Sequence, residues 1–214
     1  MAAIRCGADA VYIGAERFGA REGAGNTISD IEKLCTFAHT YWAKVYATVN
    51  TILRDDELPE AQRLIARLHA AGVDGLIIQD MGLLELDLPP LPLIASTQMH
   101  NSTPEKVAFL EAAGFSRVIL ARELTLAEIR RIRAATRVEL ECFVHGALCV
   151  SYSGRCLLSY AIGGRSGNRG RCAQPCRRRY RLEDRHGRHV AGPAHFLSLK
   201  DLNLAEHLDE LVAA

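Results

Sequence analysis

The chain has 214 residues, a formal net charge of +1, 49% hydrophobic residues and 24% charged residues. This balance is that of an ordinary globular protein and excludes wholesale disorder or a collagen-like fibre. Apolar runs stay below the ~18 residues that span a bilayer, and the N-terminus lacks a signal-peptide pattern. We therefore expect a cytoplasmic protein without a membrane partner, in which the seven cysteines are reduced.

A short pattern recurs three times along the chain, in residues 6–13, 71–78 and 113–120. Each copy begins with a small residue and a glycine, which can end a helix in the left-handed conformation. Each then continues into a short apolar run that is typical of a buried strand. The pattern predicts the junction between a helix and a strand of a parallel sheet, used three times.

Helix-start signals occupy the segments between these strands. Ser29-Asp30-Ile31-Glu32 matches a capping box, in which two side chains satisfy free backbone N–H groups. Thr103 is followed by Pro104, a residue favoured at the first helical position. With the apolar periodicity, such signals predict helices over about 29–41, 57–71 and 125–135, one that starts at 104, and a last one over 202–214.

Six strands are predicted from the apolar runs, near Val11, Val45, Ile77, Ile94, Ile119 and Leu140. Their alternation with helices is typical of a parallel α/β fold, either a doubly wound sheet or a (β/α)8 TIM-barrel-like fold. Polar residues at the ends of several strands favour the barrel, because barrel enzymes draw their catalytic groups from many strand ends. We expect an incomplete barrel, about six of eight strands, with an inserted Cys-rich loop.

The predicted organisation has three parts. Residues 1–143 form the barrel fragment, 144–194 the Cys-rich signature and basic loop, and 195–214 the start of a last barrel unit. Within the first part, the polar residues at the strand ends are candidate substrate-binding groups: Asn50, Gln79, Asp80, Gln98 and Arg122.

The strand predicted over 137–143 has two distinct faces. Side chains alternate along a strand, so Leu140 and Cys142 should face the helices, and Glu141 should face the barrel interior. By extension His145 would share the side of Glu141. A carboxylate beside an imidazole is a candidate acid–base pair, and Glu141 and His145 are therefore candidate catalytic residues. A purely structural pair is an equally open interpretation.

Four cysteines are clustered within 28 residues: Cys149, Cys156, Cys172 and Cys176. They lie in a glycine-rich segment that we expect to be non-helical and organised by a metal. Only the last pair has the short spacing usual for structural zinc, whereas four thiolates also suit an iron–sulfur cluster. Zinc and iron–sulfur both stay open on spacing alone. The other cysteines, Cys6, Cys35 and Cys142, are expected in the core.

The small net charge conceals a local imbalance. Residues 165–188 contain nine Arg and two acidic residues, a local charge of +7, so the remaining 190 residues carry −6. Such a basic segment suggests an anionic partner such as RNA, although a solvated arginine-rich loop is an equal alternative. Arg165, Arg169 and Arg171 are the candidate phosphate contacts within it.

Four segments of the sequence resemble a known family. ECFVHGALCVSYSGRCLLS (141–159), GNRGRCAQPCR (167–177), ADAVYIG (8–14) and ASTQ (95–98) are similar to the collagenase-like peptidase U32 family over essentially the whole chain. The resemblance implies a barrel-like domain and, from better understood members, an oxygen-independent hydroxylase with an iron–sulfur cluster (4Fe–4S). Such members act on tRNA or rRNA bases or on a quinone precursor, and prephenate is the implied hydroxyl donor in the RNA branch. Cys149, Cys156 and Cys172 match the ligands of that signature, and Cys176 matches a fourth ligand in some members.

Three functions are weighed against these observations. The first is an RNA-base hydroxylase of tRNA or rRNA, the second a peptidase as the family name states, and the third a non-catalytic RNA-binding module with structural zinc. The stretch 97–103 is shorter than is usual in the family, so His100 and Asn101 are not counted among the site residues. Oligomeric state cannot be predicted from these patterns.

Overall fold

Six parallel strands form one sheet in chain order in the computed structural model, which describes residues 1–21, 23 and 25–214. The strands are β1 (Ala10–Gly14), β2 (Lys44–Val49), β3 (Gly75–Ile78), β4 (Leu93–Ala95), β5 (Arg117–Ile119) and β6 (Glu139–Glu141). All six predicted strands are confirmed, although β6 is shorter than the predicted 137–143.

Helices alternate with these strands and cover one face of the sheet. They are α1 (Ala2–Arg5), α2 (Ile28–His39), α3 (Leu58–Ala70), α4 (Pro104–Ala112) and α5 (Leu126–Ala135), followed by the short α6 (Leu158–Gly163) and α7 (Leu208–Val212). Ile31, Ile65, Leu110 and Ile132 are fully buried where α2 to α5 meet the sheet. The main hydrophobic core therefore lies between the helices and the outer face of the sheet.

Side-chain caps begin three of these helices. Thr103 accepts the N–H of Lys106 at 3.2 Å, which confirms the predicted start of α4, and Thr125 and Glu128 form a reciprocal capping box at the start of α5. The box predicted at Ser29 is wrong. Thr27 is the N-cap of α2 and accepts the N–H of Asp30 at 3.2 Å, because the helix begins one residue before Ser29 and the Thr27 hydroxyl is the one within reach of its first turn.

The repeated glycine junction has the predicted geometry. Gly7, Gly72 and Gly114 have φ angles of +93°, +88° and +94°, and each lies between a helix and a following strand. A side chain disfavours this region of φ, so glycine lets the chain turn from each helix into the sheet. The prediction of a parallel sheet built from helix–strand units is thereby confirmed.

The sheet curls into half a barrel. In a flat sheet β1 and β6 would lie about 24 Å apart, five strand spacings. Instead, the Tyr12 hydroxyl of β1 donates a hydrogen bond to Glu141 of β6 across the inner face. Tyr46, Ile77, Ile94 and Ile119 form a second, smaller core on that inner face. Contact between the two outermost strands requires the sheet to be strongly curved.

The segment after β6 forms small antiparallel units. Strand β7 (His145–Gly146) pairs with β10 (Leu202–Asn203), and β8 (Tyr180–Glu183) pairs with β9 (His189–Ala194). The helix predicted over 202–214 is wrong at its start, because residues 202–203 pair with β7 and α7 begins only at Leu208. The expectation of a non-helical Cys-rich segment is also wrong, since α6 forms one short helix within it.

The three cysteines expected in the core differ in burial. Cys35 is buried and Cys142 is half-buried, but Cys6 is exposed, so that part of the prediction is wrong. Cys6 ends the four-residue helix α1, which covers little of the sheet. Within the described ranges, the structure contains no helix with the length and apolar character needed to cross a membrane.

Candidate functional site

A cleft of about 520 Å³ opens at the C-terminal ends of β3 and β4. Gln79 and Asp80 follow β3, and Gln98 follows β4, so three predicted substrate-binding residues line the same cleft. The opposite wall is formed by Arg155, Leu157 and other residues of the Cys-rich segment. The strand ends and the Cys-rich segment therefore build one site together.

Two of the predicted residues hold the loops of this site in place. Asn50 accepts the N–H of Ala20 at 2.8 Å and donates to the Ser96 hydroxyl at 3.2 Å. Asp80 accepts the N–H groups of Leu53 at 2.8 Å and Gly82 at 2.9 Å. Their polar atoms thus join the loops after successive strands, which gives the cleft a fixed frame.

Gln79 leaves one polar atom free toward a ligand. Its Nε2 donates to the carbonyl oxygen of Gln98 at 3.2 Å, which fixes the orientation of the amide. Its Oε1 is buried and has no hydrogen-bond partner among the described residues. A buried acceptor without a partner is costly, so a donor supplied by a bound molecule would stabilise it.

The Glu123 carboxylate, in the loop after β5, joins the cleft loops to the Cys-rich segment and was not among the predicted site residues. Glu123 accepts the Ser153 N–H at 3.0 Å and the Ser153 hydroxyl at 2.9 Å. His100 Nδ1 lies 3.3 Å from Glu123 Oε1, without hydrogen-bond geometry, and its ring packs edge-on against Tyr152 at 5.5 Å. His100, which is not counted among the predicted site residues, thus lies beside Glu123 in the loop after β4.

Arg122 points from the end of β5 toward the cysteines. Its guanidinium carbon lies 4.2 Å from the centroid of the Phe143 ring, and its Nε has no hydrogen-bond partner in the described part of the chain. Burial is the main cause that lowers the pKa of Arg122, and the nearby Cys149 thiolate opposes this effect. The predicted residue thus offers an unfilled N–H beside the cysteine group.

The four cysteines of the signature lie in one neighbourhood. Burial is the main cause that raises the pKa of the Cys176 thiol; repulsion from Cys149, Cys172 and Cys156 adds to it, and Arg177 opposes it. Such repulsion fades with distance, so all three sulfurs must be near Cys176. As placed, however, no three Cys, His, Asp or Glu side chains in the described ranges are close enough to hold one metal ion.

Arg177 explains why the first and the last cysteine meet. It follows Cys176, and its Nη2 donates to the carbonyl oxygen of Leu148, next to Cys149, at 2.6 Å. Its Nη1 donates to the Ser198 hydroxyl at 2.7 Å. One guanidinium therefore joins the residue after Cys176 to the residue before Cys149 and to Ser198, which is the kind of planar, multiple contact that arginine makes best.

Glu141 and His145 occupy different surroundings. Glu141 accepts from Tyr12 and lies 3.4 Å from Nη1 of Arg117, inside the curled sheet. Burial is the main cause that raises the pKa of Tyr12, and Glu141 adds to it. His145 is an exposed residue of β7 and pairs in register with Asn203. The extension of the strand pattern to His145 is wrong, because β6 ends at Glu141. The catalytic roles of Glu141 and His145 stay predictions.

The predicted phosphate contacts at Arg165, Arg169 and Arg171 lie in the basic segment. Arg165 Nε donates to the carbonyl oxygen of Arg171 at 3.1 Å. Arg169 donates to the Ile52 carbonyl oxygen at 2.8 Å and to Oε1 of buried Glu57 at 2.7 Å. The guanidinium of Arg169 thus joins the basic segment to the loop after β2, and its contact with RNA stays a prediction.

Comparison with known proteins agrees with this architecture. The sequence profile of peptidase family U32 matches residues 1–214. The chain belongs to peptidase family U32. Family U32 chains of known structure include a U32 peptidase that aligns with a TM-score of 0.56 at 21% identity, over 65% of this chain and 62% of that one. At this identity the likeness supports the fold alone.

Two relatives of this U32 chain have names that refer to RNA. A 23S rRNA 5-hydroxycytidine synthase of Escherichia coli is 55% identical over 212 residues, which cover 99% of this chain and 32% of that protein. A tRNA hydroxylation protein of Bacillus subtilis is 36% identical over 220 residues, which cover 98% of this chain and 52% of that protein. The chain therefore spans about a third to a half of the length of these relatives.

Proposed function

We propose that this U32 chain carries the catalytic core of an RNA-base hydroxylase acting on rRNA or tRNA. The observation that carries the proposal is the position of one signature cysteine beside the cleft. Cys156 lies between Arg155 and Leu157, and both neighbours line the cleft together with Gln79 and Gln98. The 55% identity to an rRNA hydroxycytidine synthase supports the same reaction class.

The donor set suits an iron–sulfur cluster. A single zinc ion, bound about 2.3 Å from each sulfur, needs all its ligand sulfurs within roughly 4 Å of one another. The other three thiols influence Cys176 electrostatically. Four thiolates suit a cluster (4Fe–4S), whose ligands bind different irons and stand further apart than the ligands of one zinc ion. We propose the cluster, and metal analysis distinguishes it from zinc. Cys149, Cys156 and Cys172 would hold three of its irons, and Cys176 would bind the fourth iron only where no oxygen ligand does.

The cleft would receive the base to be modified. Its volume of about 520 Å³ falls within the usual range for small-molecule sites, so a single nucleobase turned out of its stack can enter it. The free Oε1 of Gln79 would accept a hydrogen bond from an N–H or amino group of that base. The amide is held by Gln98, and because its Oε1 is buried, a small shift of the neighbouring loop would uncover it as the base enters.

Hydroxylation also needs a second reactant. Replacing a C–H hydrogen of the base by a hydroxyl group is a two-electron oxidation. A co-substrate must therefore give up a hydroxyl group by breaking its own C–O bond and leave with a hydrogen in that place, reduced by two electrons. We propose prephenate, which carries such a C–OH group, as this small-molecule donor. The iron–sulfur cluster, when bound, would supply an iron that can coordinate an oxygen ligand. The free Nε–H of Arg122 would hold a carboxylate of the co-substrate close to the cysteine group.

Metal and RNA analysis of the full-length protein tests the proposal. After anaerobic purification it should contain iron and acid-labile sulfide, and its RNA should carry a hydroxylated nucleoside by mass spectrometry that is absent from cells without the protein. Cys156→Ser and Cys172→Ser should each abolish both signals, because each removes a thiolate ligand.

Cys6→Ser is the matched control, since Cys6 is an exposed cysteine at the end of α1, outside the signature. It should retain iron, sulfide and the hydroxylated nucleoside. Colourless protein with one zinc per chain would reject the cluster, and unchanged RNA in the absence of the protein would reject the hydroxylase. Cleavage of a peptide that depends on Cys149 would support the peptidase alternative instead.

A further inference from the structure

Four arginines surround a small cavity at the C-terminal ends of β1 and β2. The cavity has a volume of about 220 Å³ and is separate from the cleft between β3, β4 and the Cys-rich segment. Its arginines are Arg17, Arg54, Arg169 and Arg171, and its other walls are Phe18, Gly19, Thr51 and Glu57. Only Arg169 and Arg171 belong to the basic segment. The cavity therefore unites charges from distant parts of the chain.

One buried carboxylate serves three of these cations. Glu57 Oε1 lies 2.7 Å from Arg169, 3.5 Å from Arg54 and 3.9 Å from Arg17, and only 8% of the Glu57 side chain is exposed. Hydrogen bonding to Asp56 is the main cause that raises the pKa of Arg54, while repulsion from Arg171 opposes it. Among these partners, Glu57 is the buried carboxylate, and three guanidinium groups share it.

Arg17 and Arg54 each have a second acidic partner, and both of these partners are exposed to solvent. Arg17 pairs with Glu60 and Arg54 with Asp56, and the acidic side chains are 41% and 70% exposed. Exposed ion pairs contribute little and exchange easily with other ligands. Each guanidinium has five N–H donors, more than these contacts use, and planar guanidinium groups bind phosphate oxygens in pairs.

The cavity and the cleft are immediate neighbours. Thr51 lines the cavity and Ile52 lines the cleft; likewise Arg169 lines the cavity and Asn168 the cleft. The Ile52 N–H donates to the carbonyl oxygen of Asn168 at 3.0 Å, so the two segments that line both spaces are hydrogen-bonded to each other between them. A nucleotide with its base in the cleft can place an adjacent backbone phosphate at the arginines.

We infer that the arginine cavity binds a phosphate group of the RNA backbone next to the base that occupies the cleft. This inference rests on the proposed function for the identity of its ligand. It assigns Arg17 and Arg54, which lie outside the basic segment, to phosphate binding. Arg169 fixes the wall between the two spaces, because its contacts with Glu57 and Ile52 join the segments that form it.

Binding of a short labelled single-stranded RNA to the full-length protein, titrated over a range of salt concentrations, tests the inference. Arg17→Gln combined with Arg54→Gln should weaken binding about tenfold and lower the slope of log K against log salt by about 0.7 for each phosphate that the variant no longer neutralises. Arg17→Lys should keep a slope close to that of the natural protein, because it retains the charge. Iron content should be unchanged in all variants.

Arg131→Gln is the control, since this α5 side chain is 71% exposed and lies outside both spaces. Equal affinity and slope for the double variant and Arg131→Gln would overturn the inference. The inference would also be overturned if inorganic phosphate bound the cavity without lowering the affinity for RNA, because the cavity would then hold a free anion. RNA binding is measured without turnover, so it can be tested independently of hydroxylation. If the protein does not hydroxylate RNA but the double variant still shows weaker binding and a lower salt slope, the proposed function is rejected and the phosphate site is supported.

Discussion

Gly154 shows how one residue seats the Cys-rich segment on the barrel. Its φ angle is +69°, and a Cβ at this position would lie 1.8 Å from the carbonyl oxygen of Gln98. No side chain fits such a distance, and the left-handed backbone alone costs other residues about 1–2 kcal/mol. The segment between Cys149 and Cys156 can therefore contact the loop after β4 only with glycine here.

Gly154→Ala should separate the Cys-rich segment from the cleft while leaving the sheet folded. We expect loss of most of the iron and of RNA hydroxylation in the full-length protein, measured by metal analysis and nucleoside mass spectrometry. Gly163→Ala is the matched control, because a Cβ there meets nothing within 4 Å. Full iron content and activity in Gly154→Ala would show that this glycine does not position the cysteines.

At the scale of elements, the ion pair between Arg169 and Glu57 ties the basic segment to the start of α3. Hydrogen bonding to Arg169 is the main cause that lowers the pKa of Glu57 from 4.5 to about 2. A carboxyl group with a lowered folded-state pKa stabilises the fold at pH values above its unfolded pKa. That contribution is lost as the pH falls from about 4.5 toward 2.

The basic segment should therefore detach progressively across that acidic window. Limited proteolysis with pepsin, which works in acid, should cut near residues 165–171 faster as the pH falls, beyond the change in pepsin activity on an unfolded substrate. Glu57→Gln should be cut readily throughout the window, because it lacks the titrating carboxylate. Identical pH profiles for Glu57→Gln and the natural protein would contradict the assignment.

At the scale of the whole molecule, the curvature of the sheet depends on contacts across its inner face. Glu141 on β6 binds Tyr12 on β1 and Arg117 on β5. Removing the carboxylate would remove the hydrogen bond from Tyr12 and one of the two carboxylate partners of Arg117. Each lost hydrogen bond contributes about 0.5–1.5 kcal/mol.

Glu141→Ala should thus lower the free energy of unfolding by about 1–3 kcal/mol, measured by urea denaturation. Glu139→Ala is the matched control: Glu139 also pairs with Arg117, at 2.9 Å, but is 63% exposed, so the decrease should be about 1 kcal/mol or less. Unchanged stability of Glu141→Ala together with abolished hydroxylation would favour the catalytic role predicted from the sequence over this structural one.

Local patterns were sufficient to predict the units of the fold. The glycines at the helix–strand junctions, the threonine caps and the apolar runs act through backbone geometry and neighbouring residues, so the six strands and the order of the α/β units could be predicted. The predicted secondary structure was wrong where it depends on pairing with a residue far away in the chain. Residues 202–203 became a strand because they pair with β7, more than fifty residues earlier.

The sequence by itself determined the chemical inventory of this U32 protein: four clustered thiols, polar groups at successive strand ends and a surplus of arginine. Only the tertiary structure decided which of these groups meet. The inward curl of the sheet placed Glu141 with Tyr12, and the folding of the Cys-rich segment over β3 and β4 placed Ser153 with Glu123. The physical reason is that sheet curvature and loop docking depend on contacts between residues far apart in the chain, which no local pattern records.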